Sequence, residues 1–276
     1  MATIPQKVKE RLSQGIKRFQ PILSQAKTRD VNESDTVIIV TDMLSEIFGY
    51  DKYSEITSEF TIRSTFCDLA TKINGKVQLL IEVKAIGSEL KDNYVKQAID
   101  YAVNQGIDFV VLTNGIIWKA FKVAFTKPID QEMVFEIDFL QLSHKNAEDI
   151  EKLFLVSKEG WLKSTLYEFH SQKQALSRFF LGAMIMSDSV VEVIRRELRK
   201  ISPDIKITSD QIRNVVYQEV LKREVVEGDK ADEAKKKISK ALSKFSKNKI
   251  AKYKATSDDD DVNAESKDTN CAEEVK

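Results

Sequence analysis

The stretch YSEITSEFTIRSTFCDLATKINGKVQLLIEVKAIG, residues 53–87, decides the fold. It reads as two β-strands joined at Asn74-Gly75, a dipeptide favoured where both turn residues need positive φ. The second strand contains VQLLIEVKAI, which is mostly apolar, as expected of a strand covered on both faces. Asp68, Glu82 and Lys84 do not suit that environment. Side chains alternate along a strand, so Glu82 and Lys84 share one face while Ile81 and Val83 share the other. An internal ion pair is one explanation, but desolvation offsets much of the attraction in such a pair. An acid and a lysine kept in a core strand therefore point to use rather than to stability.

Asp68 joins the pair only if the register allows it. With a clean two-residue turn, Asp68 falls opposite Ile81 and on the far face from Glu82. A three-residue loop, Ile73-Asn74-Gly75, or a bulge shifts the pairing by one. In the looped register Asp68 faces Leu80 and lies diagonal to Glu82. The sequence is expected to use one of these two devices. Two converging carboxylates suit a hard cation such as Mg²⁺, with the backbone carbonyl of Val83 as a further oxygen donor. Such an ion activates water and stabilises charge on a phosphoryl oxygen. Lys84 beside it would orient that water or neutralise the phosphate. This is a layout for phosphodiester hydrolysis.

The flanking segments supply a frame. NESDTVIIVTDMLSEIFGYD predicts a helix with Asn32 as N-cap, Gly49 after its last turn, and Val37, Val40, Leu44 and Ile47 as its buried stripe. Glu33, one turn before Val37, is either a helix-dipole acid or a neighbour of the site. Residues 1–30 hold seven basic and two acidic side chains. Val8, Leu12, Ile16 and Phe19 recur at helical spacing there, so the basic outer face is either solvated or set to contact phosphate. After the hairpin, SELKDNYVKQAIDYAVNQG predicts a helix from about Ser88 to Gln105, ended by Gly106. Gln97 and Tyr101 lie four apart on it, close to Tyr94. They either reach the hairpin face or form an ordinary helix edge. IDFVVLTNGIIWKAFKVAF predicts two strands about Asn114-Gly115. Residues 31–126 thus read helix, strand, strand, helix, strand, strand, an α/β sandwich.

Residues 143–242 read as mostly helical. QKQALSRFFLGAMIMSDSVVEVIRRELRKI is apolar on more than one face and is expected to be well buried. Pro203 breaks the pattern and Thr208-Ser209-Asp210 caps the next helix. Trp161, Tyr167, Phe169, Phe179 and Phe180 read as core. From Asp229 to Lys254 ten lysines face three acids, and from Ala255 to Lys276 eight acids face two lysines. That tail is expected to be disordered.

Composition excludes more than it assigns. The 276 residues carry 43 basic and 43 acidic side chains, so net charge gives no hint of a nucleic-acid partner. Two cysteines, Cys67 and Cys271, are too few for a disulfide framework or a thiolate zinc site. His144 and His170 lie outside the hairpin core. No apolar run approaches the roughly 20 residues of a membrane span. The N-terminus lacks the apolar segment of a signal peptide. A cytoplasmic protein without a membrane partner is expected.

FCDLATKINGKVQLLIEVKA is similar to the D-x(n)-E-x-K core of PD-(D/E)xK nucleases, and QAIDY to the Q-xxx-Y that accompanies it in a subset. With Glu33 in the preceding helix and GIDFVVLTNGIIWKAF after the core, residues 30–125 resemble the N-terminal domain of the type I restriction enzyme R subunit. The resemblance implies a restriction-endonuclease-like α/β fold, a mixed β-sheet core flanked by helices, over residues 31–142. A basic helix at 1–30 precedes it; a helical region at 143–242 and a charged tail at 243–276 follow. It implies an endonuclease acting on DNA with Mg²⁺, or Mn²⁺ as substitute, in restriction or phage defence. Asp68 and Glu82 would bind metal with the Val83 carbonyl, and Glu33 would lie beside it. Lys84 would be the catalytic lysine, supported by Gln97 and Tyr101. The chain departs from that family in having no G-x-x-x-x-G-K-[ST] phosphate loop and too few residues for a helicase motor. A stand-alone nuclease is expected. The alternative is a catalytically inactive nucleic-acid-binding or assembly module that retains the fold. Helices in 143–242 are candidates for self-association or a partner protein.

Overall fold

The computed structural model describes residues 3–62, 65–125, 129–204 and 206–243. The chain divides into two compact units, residues 1–171 and 172–276. The first is built on one sheet whose six strands lie side by side in chain order. They are β1 (Ile56–Ile62), β2 (Thr65–Ile73), β3 (Lys76–Val83), β4 (Phe109–Thr113), β5 (Ile117–Ala124) and β6 (Asp130–Asp138). Every neighbouring pair is antiparallel except β3 and β4, which run parallel. A parallel pair needs a crossover, and helix α3 (Lys96–Gln105) lies in it.

The opening stretch therefore holds three strands, not two. Residues 56–62 alternate polar and apolar side chains and form edge strand β1, and DQEMVFEID forms the opposite edge, β6. Edge strands lack the continuous apolar run that marks β3 and β4, so their signal is weaker.

Helices cover both faces. On one lie α1 (Gln6–Thr28) and α2 (Glu33–Glu46). The α1 stripe is the expected one extended by two turns, with Leu12, Ile16 and Leu23 fully buried. Each such side chain contributes about 1.5–3 kcal/mol. In α2 the Asn32 side chain accepts from the Asp35 N–H, as an N-cap should. Its buried side is Thr36, Val40, Met43 and Leu44, continued by Ile47, with Val37 only half-buried. Gly49 takes φ +81° and the next N–H, of Tyr50, returns to the Leu44 carbonyl. Residues 143–171 join this core through α4 (Ala147–Phe154), α5 (Lys158–Leu162) and the start of α6 (Thr165–Ala175), burying Ile150, Leu153, Phe154 and Leu166. Trp161 and Phe169 pack against the core from its edge. Tyr167 is partly exposed, its ring edge-on to Phe109 and its hydroxyl donating to Asp108.

The opposite face carries α3 over Cys67, Ala70, Leu80, Val110, Leu112 and Phe121. The predicted helix from Ser88 starts late: Asp92–Val95 is a 3-10 turn, and α3 proper begins at Lys96. Gly106 ends it at φ +68°.

The second unit contains α7 (Arg178–Ile185), α8 (Asp188–Ile201), α9 (Ser209–Val215), a π-helical turn at Val216–Val220, α10 (Arg223–Val226) and a helix over 229–243. Thr208 and Gln211 form a reciprocal capping box, as the TSD signal promised. The expected burial of residues 172–201 does not hold. Its core is small, centred on Val191, Ile212 and Val216, and Leu176, Leu181, Val193 and Ile201 are exposed. The reason is that breaks at Ser177 and Ser187 divide the segment into the end of α6, α7 and α8, and α7 and α8 bury only Gly182 and Val191. Residues 244–276, with the expected disordered tail and Cys271, lie outside the described residues. No described helix is long and apolar enough to cross a membrane.

Candidate active site at the end of strand β3

The turn and register were the open question, and the structure answers it with a bulge. Ile73 pairs with Lys76, so Asn74-Gly75 is a two-residue turn, with φ +52° and +75° at its two residues. The pairing then slips between Thr71 and Lys72, where Gln78 is the extra residue of β3. Trp161 Nε1 donates to the Gln78 side-chain oxygen at 3.2 Å, which anchors the bulge. Past it, Thr71 pairs with Leu79 and Leu69 with Ile81. The pairing ends there, and Asp68 and Glu82 are the next residue on each strand, so the bulge sets them at facing positions rather than on the diagonal expected for a three-residue loop. Asp68 does more than face the strand. Its Oδ2 accepts from the Val83 N–H at 2.7 Å, in place of a backbone partner.

Four predicted residues converge here: Asp68, Glu82, Lys84 and Glu33. Lys84 Nζ stands 2.9 Å from Glu82 Oε1 and 3.4 Å from both oxygens of Glu33. Glu33 is thus both a first-turn acid of α2 and a partner of the lysine, so its two readings coexist. The Lys84 ammonium also sits 5.9 Å from the centre of the Tyr94 ring. The Glu82 side chain is only 10 % exposed and that of Lys84 19 %, while Glu33, at 48 %, opens the cluster to water.

Burial pushes the Asp68 carboxyl above its ordinary value, against the Val83 hydrogen bond and the Lys84 charge, with Glu33 adding to the rise. Glu82 is raised for the same first reason, helped by the charges of Asp68 and Glu33. Burial works against the charge of Lys84, but its bond to Glu82 and the charges of Glu82, Glu33 and Asp68 outweigh that and hold it above the ordinary lysine value. The acids are thus raised by burial first and by one another's charge second, while the lysine is raised by the carboxylates around it.

The remaining candidates stand differently. Tyr101 is buried in the α3 face among Cys67 and its neighbours, and burial, then Cys67, pushes its hydroxyl up to about 12. Gln97 lies on α3, but its side chain is outside the described residues. Val83 contributes its N–H, to Asp68. Among the described residues no group of three or more His, Cys, Asp or Glu side chains is placed to hold a metal together, and Glu33 is engaged by Lys84 instead.

One residue read only as a turn former matters more than expected. Asn114 is buried; its Nδ2 donates to the carbonyls of Ile86 and Ser88, and its Oδ1 accepts from the N–H groups of Ile116 and Ile117. The loop that follows Lys84 is therefore tied to the β4–β5 turn. Position before glycine was the only sequence signal, and it marks the turn without revealing the second partner.

Residues 39–137 match the family of the type I restriction enzyme R protein N terminus. This R-protein N-terminal match spans Asp68, Glu82, Lys84, Gln97 and Tyr101 and begins beyond Glu33. It ends within the last strand of the sheet, so it covers β1 to β6 with α3 between. No curated protein and no solved structure matches the chain.

Proposed function

We propose that the sheet domain is a Mg²⁺-dependent endonuclease that hydrolyses DNA phosphodiester bonds, in a restriction-type role. The observation that carries this reading is the gathering of Glu82, Glu33 and Lys84, with Asp68 held on the Val83 N–H, at the carboxyl end of β3. The match to the R-protein N terminus supports the same class of chemistry.

The donor set fits a hard divalent cation. Two carboxylates with a neighbouring backbone carbonyl are oxygen ligands of the kind Mg²⁺ takes, and Mg²⁺ keeps several waters rather than demanding a full protein cage. Three carboxylates stand about one ammonium, and the surplus negative charge is what a cation would neutralise. Asp68, Glu82 and the Val83 carbonyl would hold it. When bound, Mg²⁺ supplies Lewis acidity and a more acidic water.

The chain's own groups divide the remaining work. The Val83 N–H fixes the orientation of Asp68, leaving its other oxygen for a ligand. Lys84 is held above the ordinary lysine value, so at neutral pH it keeps its proton. It then acts as a cation that stabilises charge on the phosphoryl oxygens, not as a base. Glu33 and the Tyr94 ring both lie against the ammonium and restrain it.

The test is incubation of the protein with plasmid and linear DNA in Mg²⁺ or Mn²⁺. Cleavage by wild type and its loss in Glu82→Gln is the expected outcome. Metal-independent cleavage, or equal cleavage by both proteins, would exclude this site.

A further inference from the structure

The segment between Lys84 and Tyr94 is irregular, yet its backbone is tied down at regular intervals. Asn114 holds the carbonyls of Ile86 and Ser88 at 3.2 and 3.0 Å. Lys119, on β5, donates from Nζ to the carbonyl of Leu90 at 3.1 Å. Alternate carbonyls, 86, 88 and 90, thus accept from side chains of one hairpin, β4–β5. Such a loop would otherwise leave carbonyls to water or unsatisfied. Its apolar side chains straddle the sheet: Ile86 is buried in the core under α1 and α2, and Leu90 in the core under α3. The loop also lies against Asp30, whose Oδ1 leaves no room for a Cβ at Gly87. The 3-10 turn carrying Tyr94 follows directly, with the Tyr94 N–H bonded to the Lys91 carbonyl.

Lys119 is placed for this by register. Glu82 pairs with Leu112, Leu112 with Lys119, and Lys119 with Glu136, one row across the sheet. Opposite residues share a face, so Lys119 rises on the same side as Glu82, two strands away. Its side chain is 17 % exposed, and Glu136 lies 3.9 Å from its ammonium.

We propose that Asn114 and Lys119 are positioning residues of the proposed nuclease site: they hold the 86–90 loop so that Tyr94 stays against Lys84. This rests on the nuclease reading for its consequence, but the tethering itself does not. Neither residue touches Asp68, Glu82 or Lys84 through any contact described above; they act through the loop. Lys119→Met keeps the stem and removes the donor, whereas Lys119→Arg keeps a donor.

The experiment compares wild type, Lys119→Met and Lys119→Arg by steady-state DNA cleavage and by amide hydrogen exchange over residues 85–95. The expected result for Lys119→Met is a kcat lowered about ten- to hundred-fold, the scale of a misplacement near 1 Å. KM for DNA should be unchanged, exchange in the loop faster, and both effects reversed in Lys119→Arg. A raised KM with unchanged kcat would make Lys119 a phosphate contact and overturn the proposal. Unchanged exchange in Lys119→Met would overturn it as well. If wild type does not cleave DNA, the nuclease reading fails, and exchange alone then decides the tethering. Asn114→Asp, which loses both donors and keeps the acceptor, should also speed exchange at Ile86 and Ser88; protection equal to wild type there would count against the proposal.

Discussion

At the residue scale the site is a compromise between stability and use. Asp68 and Glu82 are both raised by burial first, so their ionised forms are disfavoured in the folded chain. The sign follows by linkage. A carboxyl raised on folding is bound more tightly to its proton in the native state, so its contribution worsens as pH climbs past the ordinary carboxylate value and through the raised one. Removing that charge at neutral pH should not cost stability. Asp68→Asn, which can still accept from the Val83 N–H, is therefore expected to melt no lower than wild type at pH 7 without divalent cations. Mg²⁺ well above its Kd should stabilise wild type by about 2–3 kcal/mol. That is several degrees in Tm for a domain of this size. The variant should show little or none of it. Thermal melts with and without Mg²⁺ check both statements independently of cleavage. A Mg²⁺ shift of equal size in the two proteins would place the ion elsewhere.

At the element scale the hairpin turn and the bulge set the site. The charged residues and the need for a register shift could be read from residues 53–87, because a period of two leaves only two outcomes. Which device supplied the shift could not, since Asn74-Gly75 suits either turn length and Gln78 is unremarkable in a strand. Its anchor, Trp161, comes from a helix 83 positions away. The tether from Asn114 was hidden for the same reason, its loop partners lying 28 and 26 positions away. Edge strands β1 and β6 pair with their neighbours in sequence and were hidden instead because they lack a continuous apolar run. Glycines at positive φ give a test of the turn. At Gly75 a Cβ would meet nothing within 4 Å, so Gly75→Ala carries only the backbone cost of φ +75°. That is about 1–2 kcal/mol. At Gly49 the same φ cost is joined by the Arg11 guanidinium, 2.6 Å from the added Cβ. Gly49→Ala should be the more damaging of the two in urea unfolding, and the reverse order would contradict the turn geometry described here.

At the scale of the whole molecule, the sheet domain draws on segments far outside the hairpin. Arg11 on α1 bonds both oxygens of Glu159, at 2.8 and 2.6 Å, and the Ile47 carbonyl at the end of α2. It joins the first helices to residues near 160. Burial alone would raise Glu159, but Arg11 outweighs it and holds the carboxyl below its ordinary value. A depressed carboxyl stabilises above its unfolded pKa, about 4.3, and that contribution is lost as pH falls through the folded value. Arg11→Met is expected to cost about 1–2 kcal/mol at pH 7, between an exposed pair and a buried one. The gap to wild type should narrow below about pH 4. Equilibrium unfolding across pH measures it. The α1 stripe was plain in the sequence because helical periodicity is local. Its pairing with residue 159 was not, because one arginine among the seven basic residues of 1–30 carries no mark of its partner.

The most direct test of the nuclease reading is the single-turnover rate of DNA cleavage in Mg²⁺ by wild type and by Lys84→Ala. The Lys84 ammonium lies between Glu82 and Glu33. If it stabilises charge on the phosphate, its loss should slow cleavage about a hundred-fold or more, in a protein that still folds. Equal rates in the two proteins, or no cleavage by wild type under any divalent cation, would contradict it.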